Sequence, residues 1–352
     1  MSVEKEPSKE LLGTFKDEGE AKDEYYEAIL KDLPKEKNFN DLSLYHYQGF
    51  WVSEMFLRGI ISVQSNFVAR DDDIILTSCP KSGNTWLKAL MFSIVNRTRN
   101  GFALTSSPLL EKNPHDLVPL LEEHIDLLES FFQSPKYNEA YPPLPRLLST
   151  HIPYESLPTS IKTSGCKIVY ISRNPMDLFV SLWHFTGKFL CKDAKRHGLE
   201  ECFDRFCHGI HSFGPFWNHV LGFWKANQKR PEKILFMKYE DMKKDTFFNV
   251  KRLAEFLGFP FSEEEEKLGL VEEIITSCSF ERMRNLEANK NGTLGLGKIP
   301  RSAFFRKGEV GDSRNFLTPA MIERMGKIMQ ENYGRHLDLI SSSNFLSECM
   351  KT

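Results

Sequence analysis

"TSCPKSGNTWLKAL", residues 77–90, joins an apolar run to a helical pattern through a short polar turn. The apolar run is "DIILTSC" (73–79), and Pro80 follows it directly. After the turn, apolar residues recur at the 3.6-residue spacing of a helix with one buried stripe, namely at Trp86, Leu87, Leu90, Met91, Ile94 and Val95. The stretch therefore predicts a strand, a turn and a helix in direct succession.

The turn has the features of an anion-binding site. A helix that begins near Asn84 leaves its first backbone N–H groups without partners, and its dipole favours negative charge there. Gly83 lets the backbone approach a ligand closely, and Lys81 supplies a positive charge. Ser82 and Thr85 add hydroxyl donors. The alternative is an ordinary connection with exposed polar residues.

The order of residues in the turn differs from the usual ATP loop. In G-x-x-x-x-G-K-[ST] the lysine ends the loop, just before the hydroxyl residue that holds magnesium. Here Lys81 comes first and the loop is short. We therefore expect a phosphate-type anion that is held without the ATP–magnesium arrangement.

Three further apolar runs resemble the first: "RLLST" (146–150), "KIVYISR" (167–173) and "KILFMKY" (233–239). Continuous apolar runs of this length are typical of strands buried on both faces of a parallel sheet. Helical patterns lie between them, and "FFNVKRLAEFLGF" predicts an apolar stripe made of Phe248, Leu253, Phe256 and Leu257. The expected fold is a single α/β domain with a mainly parallel central sheet flanked by helices.

Composition limits the classes of protein and partner. The chain has 352 residues and a formal net charge of −2, which gives no reason to expect a nucleic-acid partner. Residues 1–42 are polar and are interpreted as an extension, with the domain at residues 43–352. We find no secretory segment and no window apolar enough to span a membrane. Seven cysteines without a CxxC pair indicate free thiols and a cytoplasmic protein.

A second anion contact is expected after the third apolar run. Arg173 ends that run, and Ser181 lies about two turns into the helix that follows. Arginine can bind a phosphate through two parallel hydrogen bonds, and a nearby hydroxyl would add a third. The alternative is that Arg173 pairs with a carboxylate such as Asp177.

A third basic segment is "FFRKGEVGD" (304–312), where Arg306 and Lys307 stand next to Gly308. Taken alone it is a basic turn, and most such turns are only solvated. The glycine-rich stretch "GTLGLGKIP" (292–300) has no helix after it, so we interpret it as a flexible loop and not as a dinucleotide-binding motif.

His151 is the candidate base among ten histidines. It follows "RLLST" directly, which places it at the carboxyl end of a strand and at the same sheet edge as Lys81. An imidazole with the reference pKa of about 6.5 could take a proton from a hydroxyl near neutral pH. The alternative is a structural histidine.

Together, "PKSGNTW", "SRNPMDLFVS" and "RKGEVGD" resemble the three nucleotide-binding motifs of the cytosolic sulfotransferases that use 3′-phosphoadenylyl sulfate (PAPS), in their plant form. "PRLLSTHIPYESLP", "LEKNPHDLVP" and "SFERMRNLEANK" are also similar to plant members. The resemblance extends over roughly residues 45–335. It implies one α/β domain akin to the P-loop nucleotide kinases and a cytoplasmic enzyme of small-molecule metabolism.

The resemblance also implies roles for individual residues. His151 would be the base, and Lys81 would stabilise charge on the leaving group. PAPS, and its product adenosine 3′,5′-bisphosphate (PAP), would be bound by Lys81, Ser82, Gly83, Asn84, Thr85, Trp86, Arg173, Ser181, Tyr239, Cys278, Phe280, Arg306, Lys307 and Gly308. Among these, Trp86, Tyr239, Cys278 and Phe280 would surround the adenine. No metal is expected.

Two positions depart from the family pattern. Ser149 stands where many animal members carry a lysine two residues before the histidine, so charge stabilisation must come from elsewhere, mainly from Lys81. Ser313 stands where the family usually has tryptophan. Residues 314–323 match the dimer motif of the animal family only in part, so we expect a monomer or a weak homodimer.

The acceptor would be a hydroxylated, largely apolar small molecule: a flavonoid, a steroid, a hydroxyjasmonate or a desulfoglucosinolate. Its candidate wall is Phe102, His115, Leu117, Phe185, Phe189 and Phe213. We also expect residues 285–305 to close over the site as a lid. A small-molecule kinase and an inactive nucleotide-binding homologue remain as alternatives.

Overall fold

The computed structural model describes residues 18–97, 104–123, 145–188, 197–295, 297–334 and 336. Its strands are β1 (Lys35–Lys37), β2 (Ser43–Tyr47), β3 (Phe50–Ser53), β4 (Ile74–Thr77), β5 (Leu147–Thr150), β6 (Lys167–Ser172), β7 (Ile234–Lys238), β8 (Thr293–Leu294) and β9 (Ile299–Pro300).

The α-helices in these ranges are α1 (Glu18–Asp32), α2 (Glu54–Asn66), α3 (Asn84–Asn96), α4 (Pro114–Leu117), α5 (Thr159–Thr163), α6 (Pro175–Thr186), α7 (Leu199–Cys207), α8 (Phe216–Lys229), α9 (Tyr239–Lys244), α10 (Thr246–Leu257), α11 (Glu263–Lys267), α12 (Leu270–Ser277), α13 (Phe280–Asn285), α14 (Glu287–Lys290) and α15 (Pro319–Tyr333). Short 3-10 helices lie at Leu104–Ser106, Pro108–Leu110, Tyr154–Ser156, Arg301–Phe304 and Asp312–Asn315.

The centre of the fold is a four-stranded parallel sheet in the order β5–β4–β6–β7. Ile75 of β4 lies opposite Leu148 of β5 on one side and Ile168 of β6 on the other. Its four strands are the four apolar runs of the sequence. The predicted α/β fold with a parallel central sheet is therefore confirmed.

Both faces of the sheet are covered, because alternate strand residues enter two separate cores. Ile75, Leu148 and Tyr170 belong to one core, which packs against α2, α6, α7, α8 and α15. Leu76 and Val169 belong to the other, which packs against α3, α10 and α12. This double burial explains why the strands are continuous apolar runs without polar alternation.

Two helix predictions meet the structure differently. Helix α3 begins at Asn84, as expected, and it is buried on almost every side rather than along one stripe. In α10, Leu253 and Leu257 are buried as predicted, but Phe248 is 60% exposed. The apolar pattern is wrong at Phe248 because this residue lies in the first turn of the helix, where no neighbouring element covers it.

A small antiparallel sheet, β1–β2–β3, precedes the central one. Strand β1 lies inside the expected extension of residues 1–42, yet it pairs with β2 beyond that boundary. Phe39 is buried in the first core. Strand β3 joins the main body through hydrogen bonds between Trp51 and the pair Phe213 and Gly214. The described end of the expected extension thus packs with the rest of the fold, and the division at residue 42 stays a prediction.

The segment 292–300, expected to be a flexible loop, contains the short hairpin β8–β9. The expected lid at residues 285–305 includes this hairpin and α14, and its closure stays a prediction.

Cys79, Cys166, Cys202, Cys207 and Cys278 are buried free thiols, in agreement with the sequence analysis. None of the described helices is long and apolar enough to cross a membrane.

Candidate active site

A cleft of about 280 Å³ lies beyond the carboxyl ends of the central strands. It brings together most of the residues that the sequence analysis selected: Lys81, Gly83, Asn84, Thr85, Trp86, His151, Arg173, Ser181, Tyr239, Cys278, Phe280, Arg306, Lys307 and Gly308. Ser82 is buried beside them and does not line the cleft. These segments are far apart in the sequence, and the parallel sheet places their ends at one edge.

The turn between β4 and α3 adopts a backbone that few residues tolerate. Lys81 has φ 73° and Gly83 has φ 111°, both in the left-handed region. A Cβ atom at Gly83 would lie 2.7 Å from Cδ2 of Tyr239, so the side of the turn is packed against that ring. The carbonyl of Gly83 accepts the N–H groups of Trp86 and Leu87, which begins the helix.

Lys81 is held in the cleft by aromatic rings. Its Nζ lies 3.7 Å from the ring centre of Phe185 and 5.4 Å from that of Phe304. Burial lowers the pKa of Lys81 to about 7, and the nearby cations Arg173, Lys188 and Arg306 act in the same direction. No described carboxylate forms an ion pair with Lys81, so an anion in the cleft would be its natural partner.

Several donors in or directly beside the cleft have no hydrogen-bond partner among the described residues. They are the Oγ of Ser82, the Nε1 of Trp86 and the Nε atoms of Arg173 and Arg306, all buried. Unpaired buried donors cost free energy, so such groups normally meet a ligand or water. This set of donors fits an anionic ligand with several oxygens.

Arg173 is placed by backbone contacts. Its Nη2 donates to the carbonyl of Glu309 at 2.7 Å, and its guanidinium lies 4.6 Å from the ring centre of Tyr239. The carboxylate of Asp177 is 3.9 Å from Nη2 and accepts the N–H groups of Gly311 and Ser313. The pairing with Asp177 left open by the sequence therefore exists, but it leaves the Nε of Arg173 available.

The third basic segment is held by one buried carboxylate, Asp312. It forms ion pairs with Arg306 at 2.5 Å and with Lys307 at 2.6 Å. Burial alone would raise the pKa of Asp312, but its hydrogen bonds with the two cations outweigh burial and lower that pKa to about 2. Gly308 packs directly against the ring of Phe280. Arg306 and Lys307 are thus oriented toward the cleft and are not merely solvated.

The expected base, His151, has a defined tautomer. Its Nδ1 lies 2.7 Å from the carbonyl oxygen of Ser78, and because a carbonyl can only accept, Nδ1 carries the proton. Nε2 is then the unprotonated nitrogen. Burial lowers the pKa of His151 to about 3, partly opposed by the Ser78 hydrogen bond. The expectation of an ordinary pKa is therefore corrected, because the sequence does not reveal which segments enclose this ring in the fold.

Two further groups fix the backbone of His151. Its N–H donates to Glu122 at 2.6 Å, and its carbonyl accepts from Nε2 of His219 at 2.9 Å. Nδ1 of His219 then accepts from the hydroxyl of Tyr170 at 2.9 Å. Burial raises the pKa of Glu122 to about 7. Sequence patterns gave no signal for Glu122 or His219, since neither stands next to a recognisable motif.

A partly buried group of polar side chains also lies beside the turn. Nε2 of His115 is 3.0 Å from Oγ1 of Thr85, and Nδ1 of His115 is 3.0 Å from Nζ of Lys88. Lys88 was not selected from the sequence, although a lysine inside the apolar pattern of α3 was the signal that could have identified it. Ser149, at the family's lysine position, donates to the carbonyl of Pro119 and brings no charge.

Only some of the candidate residues for the acceptor wall line the cleft. Phe185 and His115 line the cleft, together with Phe304, which was not proposed. Leu117 is buried elsewhere, and Phe213 lies behind His151 with ring centres 5.4 Å apart, so these two do not line the cleft. Phe102 and Phe189 lie outside the described residues.

Within the described ranges, no three His, Cys, Asp or Glu side chains are grouped as metal ligands would be. Independence from metal stays a prediction, because this observation concerns only part of the chain.

Ser313, at the family's tryptophan position, is buried and donates its N–H to Asp177. The backbone at residues 311–313 is therefore held in place without the tryptophan.

Comparison with known proteins gives consistent matches. A family model described as a sulfotransferase domain matches residues 71–336. Cytosolic sulfotransferase 12 of Arabidopsis thaliana is 45% identical over 309 residues, which cover 87% of this chain and 91% of the relative. Flavonol 4′-sulfotransferase of Flaveria chlorifolia is 46% identical over 292 residues, which cover 82% and 88% of the two chains.

Solved structures show the same fold. A sulphotransferase structure from Arabidopsis thaliana is 40% identical, with a TM-score of 0.65 over 87% of this chain and 92% of that one. A mouse sulfotransferase complexed with PAP is 26% identical, with a TM-score of 0.66 over 88% of this chain and 99% of that one. Both similarities extend over nearly the whole of the described fold.

Proposed function

Because the chain belongs to the sulfotransferase family, it is an enzyme that transfers a sulfuryl group to a small-molecule acceptor, and we propose that its donor is PAPS and its base is His151. Family membership decides against the small-molecule kinase. The relatives' names place them in the cytosol, in agreement with the cytoplasmic localisation expected from the sequence.

The observation that carries the proposal is the composition of the cleft. His151 and Lys81 face the same space, beside Arg173 and Arg306. The histidine ring is neutral, and the lysine has no carboxylate partner among the described residues. When bound, PAPS would supply the sulfuryl group, and PAP would depart with its 5′-phosphate as the leaving group. The turn at residues 81–86 would hold its 5′ end, and Arg173, Ser181 and Arg306 would hold its 3′-phosphate.

His151 would accept the proton of the acceptor hydroxyl at Nε2. The carbonyl of Ser78 stays hydrogen-bonded to Nδ1–H and stabilises the imidazolium that forms. A pKa of about 3 keeps the ring unprotonated at all physiological pH values, so the base is always in its active form. A pKa this low also makes the base weak, so charge stabilisation by the cations must carry much of the rate enhancement.

Lys81 would stabilise the negative charge that gathers on the departing oxygen. Its position above Phe185 keeps the ammonium group in the cleft without neutralising it. Burial strengthens its interaction with a developing charge, because few water molecules screen it. Removing one such interaction typically costs about 10²- to 10³-fold in rate.

We infer that the acceptor is a flat hydroxylated aromatic compound, with flavonols as the first class to test. Two kinds of support exist: the flavonol sulfotransferases among the relatives, and the aromatic side chains Phe185 and Phe304 beside Lys81. Steroids, hydroxyjasmonates and desulfoglucosinolates are the comparison classes.

The first test is thermal unfolding with PAP and, separately, with ATP and magnesium. At about 100 times Kd, a ligand stabilises the folded state by roughly 2.7 kcal/mol, so we expect the melting temperature to rise with PAP and not with ATP. A rise with ATP alone would contradict the proposed donor.

The second test is turnover of PAPS with a flavonol panel, followed by mass spectrometry. We expect His151→Ala to lower kcat by about 10²- to 10⁴-fold while PAP affinity is retained. The matched control is His208→Ala, because His208 is an exposed histidine that directly follows α7 and does not line the cleft. Activity of His151→Ala within tenfold of the native enzyme would exclude His151 as the base. Binding of PAP with no turnover of any acceptor class would indicate an inactive homologue.

A further inference from the structure

We propose that Lys88 is a positioning residue. Through His115 it orients the hydroxyl of Thr85, so that this hydroxyl donates a hydrogen bond to the phosphosulfate end of bound PAPS. The proposal rests on the proposed function for the identity of that ligand. It concerns three residues that form one partly buried chain of hydrogen bonds beside the anion-binding turn.

The chain begins in α3, where Lys88 follows Thr85 by three residues and so lies on the same side of the helix. Lys88 is only 1% exposed, and its Nζ does not line the cleft. Its hydrogen bond to Nδ1 of His115 is 3.0 Å long. A lysine this deeply buried is costly unless it is paired, so its contact with His115 needs a reason.

His115 is held firmly between the two ends of the chain. Asn113 caps α4, and its side-chain oxygen accepts the N–H of His115 at 3.0 Å. The Nδ2 of Asn113 in turn donates to Asn289 at 2.8 Å. The ring also packs against Phe304, with centres 4.4 Å apart. The imidazole therefore cannot turn over without breaking several contacts.

The direction of the hydrogen bonds follows from the ammonium group. An ammonium can only donate, so Nδ1 of His115 accepts from Lys88. Burial and the neighbouring Lys88 lower the pKa of His115 well below its usual value, so its ring is neutral and carries its proton on Nε2. Nε2 then donates to Oγ1 of Thr85, which leaves the hydroxyl proton of Thr85 free to be donated elsewhere.

The cleft is where that proton can go. Thr85 lines the cleft at the first turn of α3, beside Lys81. No other hydrogen bond to Oγ1 of Thr85 is formed by the described residues. Because Nε2 of His115 donates to Oγ1, Thr85 cannot donate its own proton to that ring. The hydroxyl proton is therefore available to an anion in the cleft.

Carboxylates surround Lys88 and favour its charged form. Burial lowers the pKa of Lys88 to about 7, while Glu123, Glu122 and Asp116 act to raise it. Glu122 also accepts the N–H of His151. Glu122 therefore connects Lys88 with the backbone of His151, the proposed base.

The tautomer of His115 tests the geometry without any turnover. Nitrogen-15 NMR of the ligand-free full chain at pH 6.5 should show His115 protonated at Nε2, with the signal assigned by its loss in His115→Gln. Protonation at Nδ1 would overturn the proposal, because Thr85 would then donate to His115 and not to the cleft. This readout stays valid even if the enzyme uses a donor other than PAPS.

Kinetics test the coupling. We expect Lys88→Met and Thr85→Val each to lower kcat/KM for PAPS at least tenfold, and the double variant to lose little more than either one. Such non-additivity is the sign of residues that act as a unit. Independent, multiplicative losses, or an unchanged kcat/KM in Lys88→Met, would overturn the proposal.

The matched control is Lys233→Met, which removes another buried lysine. Lys233 directly precedes β7, donates to Cys166 and does not line the cleft. It should change stability and leave kcat/KM unchanged. If Lys88→Met does not fold, the same cycle is run with His115→Phe and Thr85→Val, and multiplicative losses there overturn the proposal equally. Absence of sulfuryl transfer by the native chain would instead overturn the proposed function.

Discussion

Lys81 combines two properties that rarely occur together in a lysine: it is partly buried, and no carboxylate among the described residues pairs with it. Aromatic rings hold its ammonium group, and Arg173 and Arg306 surround it. Its charge is therefore poorly compensated until an anion arrives. Binding of an anion and protonation of Lys81 must favour each other.

We predict that PAP binding above neutral pH takes up protons at Lys81. With a pKa of about 7 in the ligand-free protein, most Lys81 is neutral at pH 8, and a bound phosphate raises that pKa. Affinity for PAP should fall as pH rises above 7, by up to about tenfold per pH unit. Calorimetry in buffers with different ionisation enthalpies measures the uptake directly.

Lys81→Arg is the matched variant, because arginine stays protonated throughout this range. Proton release from the phosphate groups of PAP is common to both proteins, so the difference between them isolates Lys81. Equal proton uptake by the two proteins would contradict this explanation.

For individual residues, the sequence predicted positions in the fold better than it predicted pKa values and side-chain contacts. Lys81, His151 and Arg173 could be placed in one cleft because each follows a predicted strand of a parallel sheet. The low pKa of His151 and the contact between Lys88 and His115 could not be predicted. Both depend on segments that are close only after folding.

Among the elements, the β4–α3 turn is the most constrained. Its two left-handed residues, Lys81 and Gly83, aim the start of α3 at the cleft, and Tyr239 of α9 packs against it. The turn is therefore shaped by contacts with a distant segment as well as by its own sequence. Side chains larger than glycine at position 83 must displace that ring.

We predict that Gly83→Ala destabilises the fold by about 1–3 kcal/mol, because alanine is strained at this φ. It should also weaken PAP binding at least tenfold, since the Cβ atom displaces Tyr239. Chemical denaturation and calorimetry measure the two effects. Gly326→Ala is the control: Gly326 lies in α15 with open space around it, and alanine there should be stabilising by roughly 0.5–1 kcal/mol. Undiminished PAP affinity in Gly83→Ala would refute the role given to the turn.

The strands of the central sheet were predictable because burial on both faces makes them continuous apolar runs. The small β1–β3 sheet was not, because β1 is a three-residue strand, "KEK", with all its side chains exposed. Its position is decided by pairing with β2. Local composition contains no trace of that pairing.

For the molecule as a whole, the main feature is the pair of cores on either side of the central sheet. The first core also includes Leu30 and Phe39 from the polar beginning of the chain. Strand β3 lies next to Phe213, which packs against His151. Residues near the beginning of the chain are therefore linked through a few contacts to the proposed base.

We predict that deleting residues 1–42 lowers the melting temperature by more than Phe39→Ala does. Phe39 is 4% exposed, so Phe39→Ala alone should cost about 3–5 kcal/mol, and the deletion removes β1 and Leu30 as well. Differential scanning calorimetry of the full chain and the variants provides the comparison. Phe248→Ala, at an exposed phenylalanine, should change stability by less than about 0.5 kcal/mol. A deletion variant as stable as the full chain would show that residues 1–42 are a separate extension.

The order β5–β4–β6 has a practical meaning for engineering. His151, Lys81 and Arg173 follow three adjacent strands, whose separation of about 4.8 Å is set by backbone hydrogen bonds and not by side chains. Phe185 and Phe304 belong to other elements, α6 and a 3-10 helix. Substitutions on those elements can therefore change acceptor selectivity without changing the strand spacing that places His151 and Arg173. The Lys81 side chain, in contrast, depends on both rings for its position.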